Sequence, residues 1–529
     1  MVFSISHGLN NNLRFIDVAT LWYSVKIMKS NFIILFCLLL LIPVGCKDEE
    51  KTAASVPAPE MVKEMVTKPR VSGCRGCHQD VQPDNNHNFG CTGCHHGNNN
   101  TTEKGIAHKG LITAPAAPGN MAAGCGKCHP EQISGCSQSL HFTVANAVNR
   151  VRSHFGIEPV LTGLTEIPDS LRPQNTKELV DDMLRRRCLR CHVYTPGDSY
   201  PYVQRGTGCA ACHLEYTDGK LQSHVFKAPA ERRCLSCHYG NHVGSDYLGR
   251  YENDYNWEYR TPYTTREPFA RPYGVELHQL APDIHKQRGL TCLDCHNSRE
   301  MSGKQNPVSC EDCHSPDSDS LPPLKNVTRK GDQLFLKTVT DGNNHLIPRL
   351  VHPAHAQYQG RVACQVCHAQ WGFNDRPTHL MLSYSDEIDS WERLTVQSSS
   401  EVEIFLEHNL YSEEDELEPT MLDSINGQQK QGVWYLGFTQ RRWEDILIDL
   451  DSDGIIKVFR PILDLRISAV DEDDELLFDN LKGNGSGLLP YTPHTTGPAG
   501  LFYEQRFIHL LKGQESKTAP GQKTDIQLQ

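Results

Sequence analysis

The sequence has no strongly basic block and no apolar run long enough to cross a bilayer comfortably. Its formal net charge of -12 argues against a nucleic-acid partner. Hydrophobic residues are only 38% of 529, little for a chain long enough to hold several ordinary domains. Regular periodicity is scarce too. Between Gly73 and Pro377 few stretches keep a helical or alternating pattern for more than about ten residues. A long region so poor in regular structure needs something other than packed side chains to fill its interior. Cysteine is absent after Cys367 but abundant before it, 21 in all, alongside 26 histidines. Such a count fits disulfides, zinc or haem, and the spacing decides between them.

Nine times the chain reads Cys-x-x-Cys-His. The motifs are Cys74-Cys77-His78, Cys91-Cys94-His95, Cys125-Cys128-His129, Cys188-Cys191-His192 and Cys209-Cys212-His213, then Cys234-Cys237-His238, Cys292-Cys295-His296, Cys310-Cys313-His314 and Cys364-Cys367-His368. This is the attachment signature of c-type haem: two thioethers hold the porphyrin and the adjacent histidine is delivered to the iron. The motifs use eighteen cysteines and leave Cys37, Cys46 and Cys136. Zinc sites or disulfides would not place a histidine after every second cysteine nine times over. The expected cofactor is therefore nine covalently bound haem c groups. Cys136, five residues before His141, reads either as a degenerate tenth site or, preferably, as a plain buried thiol.

Two axial histidines saturate the iron and suit electron transfer, whereas an open position marks a catalytic haem. Setting aside the nine motif histidines and His7, sixteen remain. His87 and His285 stand just before the second and seventh motifs and can fold back onto a nearby haem. His141 ends a helical QSLH, and His352 and His355 would lie one turn apart on a helix, where they could serve two haems. With His108, His224, His278 and His379 these make the nine expected distal ligands, and His154 and His494 are reserves. His96 and His242 follow a motif histidine too closely to reach round their own haem. His345, His408 and His509 read as solvated or structural.

The expected fold is a haem-packed, mostly irregular or α multihaem region with low regular secondary structure over 73–382. A β-rich C-terminal domain over 383–515, or a β-layer packed on the haem region, follows it, and then a disordered tail, 516–529. Helices are expected over Gln138–Phe155 and Thr176–Arg187. Alternation predicts strands in EVEIFLEH (401–408), GVWYLGF (432–438), DILIDL (445–450) and GIIKVFRPILDLRISAV (454–470).

The N-terminal segment predicts export. Residues 1–27 look wrong for a signal n-region, which points to Met28 as the true start. Residues 28–45 carry Lys29 and the apolar run Phe32–Ile42 of a signal peptide. Gly45-Cys46 resembles a bacterial lipoprotein cleavage site with Cys46 as the lipid-bearing residue, although Pro43 stands where that family usually has Leu or Val. An ordinary signal peptide is the alternative. Residues 46–72 read as a flexible tether.

The repeated motif, together with AHKGL (107–111), CHYGNHVGSDYLGRYE (237–252), LAPDIHKQRGLTCLDCH (280–296) and HPAHA (352–356), resembles the multihaem c-type cytochromes of anaerobically respiring bacteria. Among these it is similar to the large lipoprotein cytochromes of metal-reducing species. The resemblance covers roughly residues 73–380. It implies closely stacked, mostly bis-histidine haems that relay electrons across the cell envelope, in the periplasm or at the outer membrane, with other envelope redox proteins as partners. Some relatives are associated with selenite or tellurite reduction, which makes an extracytoplasmic reductase of an oxyanion or sulfur compound the alternative. The Cys-x-x-Cys-Lys variant found at the active haem of ammonia-forming nitrite reductases is absent.

Three further features have plain readings. Tyr239–Tyr273 is rich in Tyr, with Arg250, Arg260, Arg266 and Arg271 interleaved; aromatic packing against porphyrin is preferred over an anion-binding surface. Asp449, Asp451, Asp453 and Gly454 resemble the start of a calcium loop, but Arg460 stands where that loop needs Glu, so a DG turn is expected. The acidic runs 413–418 and 471–475 read as solvated loops.

Overall fold

A computed structural model of the chain describes residues 73–518, apart from 218, 240–242, 253–276, 316–319, 374–375, 388–395, 398, 441–442 and 445. The signal peptide, the tether, Cys46, most of the Tyr/Arg-rich segment and residues 519–529 lie outside the described residues. So does the side chain of His278. No described helix is long and apolar enough to cross a membrane.

Up to Ser315 regular structure is sparse, mainly short helices with two small two-stranded ladders. The helix expected over Gln138–Phe155 is three helices, Pro130–Gln138, Leu140–Thr143 and Ala145–His154. Ser139 is extended and Val144 is left-handed at φ 50°, so each ends a helix. The second expected helix forms as Thr176–Met183. Asn175 caps it by accepting from the Glu178 amide, and Leu184–Cys188 continues as a π-turn into the fourth motif.

From Arg376 onward strands outnumber helices among the described elements. A five-stranded sheet has the order Val396–Gln397, Val433–Gln440, Arg376–Ser383, Arg466–Val470 and Leu476–Lys482. Arg376–Ser383 and Arg466–Val470 are parallel, and the other neighbours are antiparallel. A second sheet joins Leu447–Leu450, Ile456–Arg460 and Leu489–Pro490. Pro461 separates the expected run 454–470 into two strands, since it cannot donate to a ladder.

The expected strand at 401–408 is instead the helix Ser400–Tyr411. Val402, Ile404 and Leu406 alternate, but Val402, Phe405 and Leu406 are the buried set, which is helical spacing. Ser399 caps the helix by accepting from the Val402 amide, and Glu401 and Glu403 favour its N-terminus.

The β-layer and the motif-bearing region share one core. Val148, Leu164, Leu179, Met183 and Leu184 pack with Leu380, Leu382, Val402, Phe405, Leu406, Trp434 and Ile467. Buried charges cross the same boundary. Asp423 accepts from Arg185 Nε at 2.7 Å and from Lys430 Nζ at 3.1 Å. Burial raises the Asp423 carboxyl, but bonds from Arg185, the Ile425 amide and Lys430 outweigh it and hold the group below its ordinary value. A depressed carboxyl contributes stability above its unfolded value of about 4 and loses it as pH falls through the folded value. Melting temperature is therefore expected to drop below about pH 4, and Asp423→Asn should flatten that drop. Calorimetry across pH 3–6, a window about that value, checks it.

The DG segment is a turn. Gly454 has φ +81°, its amide bonds the Asp451 carbonyl, and Lys457 pairs with the Asp451 and Asp453 carboxylates. Residues 413–418 are exposed, and 471–475 lie between paired strands, where Glu472 bonds Arg172.

Candidate functional site

Most Cys-x-x-Cys-His motifs fold as a single helical turn, which carries the histidine one turn beyond the first cysteine. The His78, His95, His129, His213, His238 and His296 amides bond the carbonyl of that cysteine at 2.8–3.1 Å. Thr291 and Ser309 start two of these turns with capping boxes completed by Asp294 and Asp312. The fourth motif departs from the pattern, because Cys188 closes the π-turn and no helix follows through His192.

Opposite six motif histidines stands a second imidazole. Ring centres lie 6.2 Å apart for His78 and His108, 6.3 Å for His129 and His87, and 6.2 Å for His95 and His224. They lie 6.5 Å apart for His238 and His141, 6.2 Å for His314 and His285, and 6.1 Å for His368 and His355. These gaps are too wide for contact and hold no hydrogen bond. A metal–imidazole bond of about 2.0 Å on each side, plus about 1.1 Å from nitrogen to ring centre, separates two axial rings by about 6.2 Å. The pairs therefore have the separation that one iron between two imidazoles requires.

The ring nitrogens are arranged to match. Nδ1 of His95, His213, His314 and His368 lies 2.8–3.0 Å from the carbonyls of Ile112, Lys227, Pro348 and Gly497. Nδ1 of His296 faces Glu300 at 2.9 Å, that of His87 faces Asp84 at 2.8 Å, and that of His285 faces Asp283 at 2.8 Å. A carbonyl or carboxylate at Nδ1 keeps the proton there and leaves Nε2 bare for a metal. Burial, with neighbouring histidines adding to it, pushes His238 down to about 4, so it is neutral as a ligand must be.

His192 differs again. It is 3% exposed, its Nδ1 accepts from the Tyr194 amide, and its Nε2 is buried without a hydrogen-bond partner. Burial and then Arg205 push it down to about 4. Among the described residues no imidazole stands within the same range of His192, His213 or His296. Of the other expected distal ligands, His352 caps the helix Pro353–Tyr358 through Nδ1 and adjoins His355, not a motif histidine. His379 lies on the central strand opposite Gly437. His408 spends Nε2 on the Asp415 carbonyl, and Cys136 is a half-buried thiol packed beside Met121 and Phe142.

Neighbouring motifs meet through their thiols, in an order that is not the order of sequence. Cys74 adjoins Cys91, Cys125 adjoins Cys209, Cys234 adjoins Cys292 and Cys310 adjoins Cys364. Cys94 lies near Cys125 and Cys128, Cys212 near Cys234 and Cys237, and Cys295 near Cys313. The fourth motif is reached sideways: Cys191 adjoins Cys237 of the sixth. Buried Arg205 ties these two together, donating to the carbonyls of Arg190 and His192 on one side and Ser236 on the other, at 3.1–3.2 Å.

A strap from the C-terminal region, residues 491–497, crosses the last sites. The Gly497 carbonyl accepts from His368 Nδ1, the Gln370 amide bonds the Thr495 carbonyl, and the Thr496 amide donates to Asp283, the residue that orients His285. The orienting acids Asp84 and Asp283, Arg205 and the strap escaped sequence reading. Only the spacings Asp84-x-x-His87 and Asp283-x-His285 carried a signal. Among the described residues no cluster of three or more His, Cys, Asp or Glu is arranged to hold a metal ion by itself. Two opposed imidazoles suit an iron whose remaining ligands come from a porphyrin. Comparison with protein-family models, curated proteins and solved structures returned no match.

Proposed function

We propose that the protein is a nonahaem c-type cytochrome that relays electrons across the bacterial envelope. The observation that carries this reading is the set of six opposed histidine pairs, each joining an attachment-motif histidine to one outside the motifs, at 6.1–6.5 Å. When bound, each haem supplies one-electron Fe(III)/Fe(II) chemistry. The chain's own part is to oppose pairs of imidazoles, several of them held by Nδ1 bonds, and to set which site adjoins which. The thiol contacts support the order one, two, three, five, six, seven, eight, nine, with the fourth site as a side branch from the sixth. Lipid attachment at Cys46 and envelope redox partners belong to the same reading.

A second reading, reduction of a small oxyanion or sulfur compound, is favoured by the fourth site. That site differs from the others in backbone and in a Nδ1 that accepts from an amide, and like the fifth and seventh it has no opposed imidazole among the described residues. Spin state separates the two. The relay reading expects only low-spin irons that ignore added cyanide or selenite. A high-spin minority that shifts with selenite would replace it with the reductase.

A further inference from the structure

We propose that buried Arg205 holds a haem propionate where the fourth and sixth motifs meet, and that this pairing raises the potential of the fourth haem. The inference rests on the haem reading above and assigns a cation to it. Arg205 is 2% exposed, and a guanidinium keeps its charge when buried, unlike a lysine. Its Nη1 donates to the Val203 and Ser236 carbonyls at 3.1 Å, and its Nη2 to the Arg190 and His192 carbonyls at 3.2 Å. Carbonyls satisfy these N–H groups but bring no negative charge. Among the described residues Arg205 forms no ion pair, and its Nε is buried without a hydrogen-bond partner. Arg190 beside it is balanced, since its Nε donates to Asp198 at 2.9 Å and its Nη2 to Glu401 at 2.7 Å. A buried charge left unbalanced is strongly unfavourable, so Arg205 calls for an acid that these side chains do not supply.

The guanidinium is built into its place. The Arg205 amide bonds the Pro196 carbonyl at 2.9 Å. Gly197, at φ +83°, lies so near Nη1 that a Cβ there would stand 2.5 Å from it, which only glycine avoids. Through Ser236 the same group reaches the stretch between Cys234 and Cys237, and through His192 the axial residue of the fourth motif. A porphyrin tied to Cys188 and Cys191 brings propionate carboxylates to this motif, and a carboxylate is the acid that a guanidinium fork takes best. An unpaired carboxylate beside an iron favours Fe(III). Pairing it with a buried cation removes that bias and raises the potential. The side branch then holds electrons while the main path conducts them.

Spectroelectrochemical titration of the full-length haem-loaded protein tests this. The fourth haem's step is the one that disappears when Cys188 and Cys191 are replaced with alanine. Arg205→Gln keeps amide donors for the carbonyls and loses the charge. Nine haems should remain, since the thioethers are untouched, and the fourth step should move to lower potential. Arg205→Lys, which restores the charge, should return it most of the way. Arg172→Gln, at an exposed pair with Glu472, should move no step. An unmoved fourth step in Arg205→Gln overturns the proposal. So does an equal shift in Arg205→Lys, which would make the tie between the two motifs the cause and not the charge. If Arg205→Gln assembles fewer than nine haems, Arg205→Lys decides alone: a retained fourth step supports the pairing and a lowered one overturns it. Added sulfate should leave the parent's fourth step in place. A step that follows sulfate concentration would mean a free anion instead of a propionate, and overturns the assignment. A parent protein without nine haems fails the haem reading itself, whatever Arg205 does.

Discussion

Replacing Cys234 and Cys237 with alanine should stop electrons that enter at the first sites from reaching the ninth, while eight haems remain. The sixth motif is the junction: Cys212 approaches it from the fifth, Cys292 from the seventh and Cys191 from the fourth. Losing it separates the arm of sites one, two, three and five from the arm of seven, eight and nine. The same change at Cys188 and Cys191 also leaves eight haems but should preserve conduction from end to end, because the fourth site is a branch. Reduction of the distant sites after rapid one-electron injection, followed by stopped-flow absorbance, distinguishes the two. Equal losses in both variants would sink the branched order. Equal losses are what a strictly sequential arrangement, with the fourth site between the third and the fifth, would give.

The second large effect concerns the joint between the motif-bearing region and the β-layer. Asp182 is fully buried and accepts from Arg186 Nη2 at 2.7 Å and from Trp434 Nε1 at 2.8 Å. Arg186 goes on to donate to the Gln431 and Gly432 carbonyls at 2.8 and 2.6 Å. Asp182→Ala leaves a guanidinium buried without its counter-charge and the indole N–H without an acceptor. Breaking a buried pair from one side costs about 3–5 kcal/mol. Denaturant unfolding followed by circular dichroism should show a loss of that size in Asp182→Ala. Asp182→Asn keeps an acceptor for Trp434 and should lose less. A change below about 1 kcal/mol in the alanine variant would mean that the pair is relaxed or solvated. The haem count should not change, because Asp182 touches no attachment cysteine. The π-turn Leu184–Cys188 lies immediately beyond it, so the fourth site should be the one whose spectrum responds.

Much of the site was legible because its signal is local. Most motifs fix their own histidine one turn beyond a cysteine, and six of the nine histidines expected as distal ligands stand opposite a motif histidine. Which faces which was not legible, because it depends on the path of the chain. His87 precedes the second motif but faces His129 of the third, and His285 precedes the seventh but faces His314 of the eighth. The order of sites was hidden for the same reason. Cys125 meets Cys209, bypassing the fourth motif, only after the helix Thr176–Met183 has carried that motif into the shared core. The strap 491–497 lies in a stretch without cysteine, and its place is set by bonds from Thr495 and Thr496 to Gln370 and Asp283 that no local pattern encodes. The β-layer was visible in outline. The helix Ser400–Tyr411 was misread because Val402, Ile404 and Leu406 satisfy period two while the added Phe405 makes the buried face helical.

Whether eighteen cysteines hold nine haems is decided by a haemochrome titration of the purified full-length protein against its concentration. Nine haems per chain and no free motif thiols under denaturing conditions are expected. Clearly fewer haems, with the motif cysteines recovered as free thiols or disulfides, would contradict that expectation.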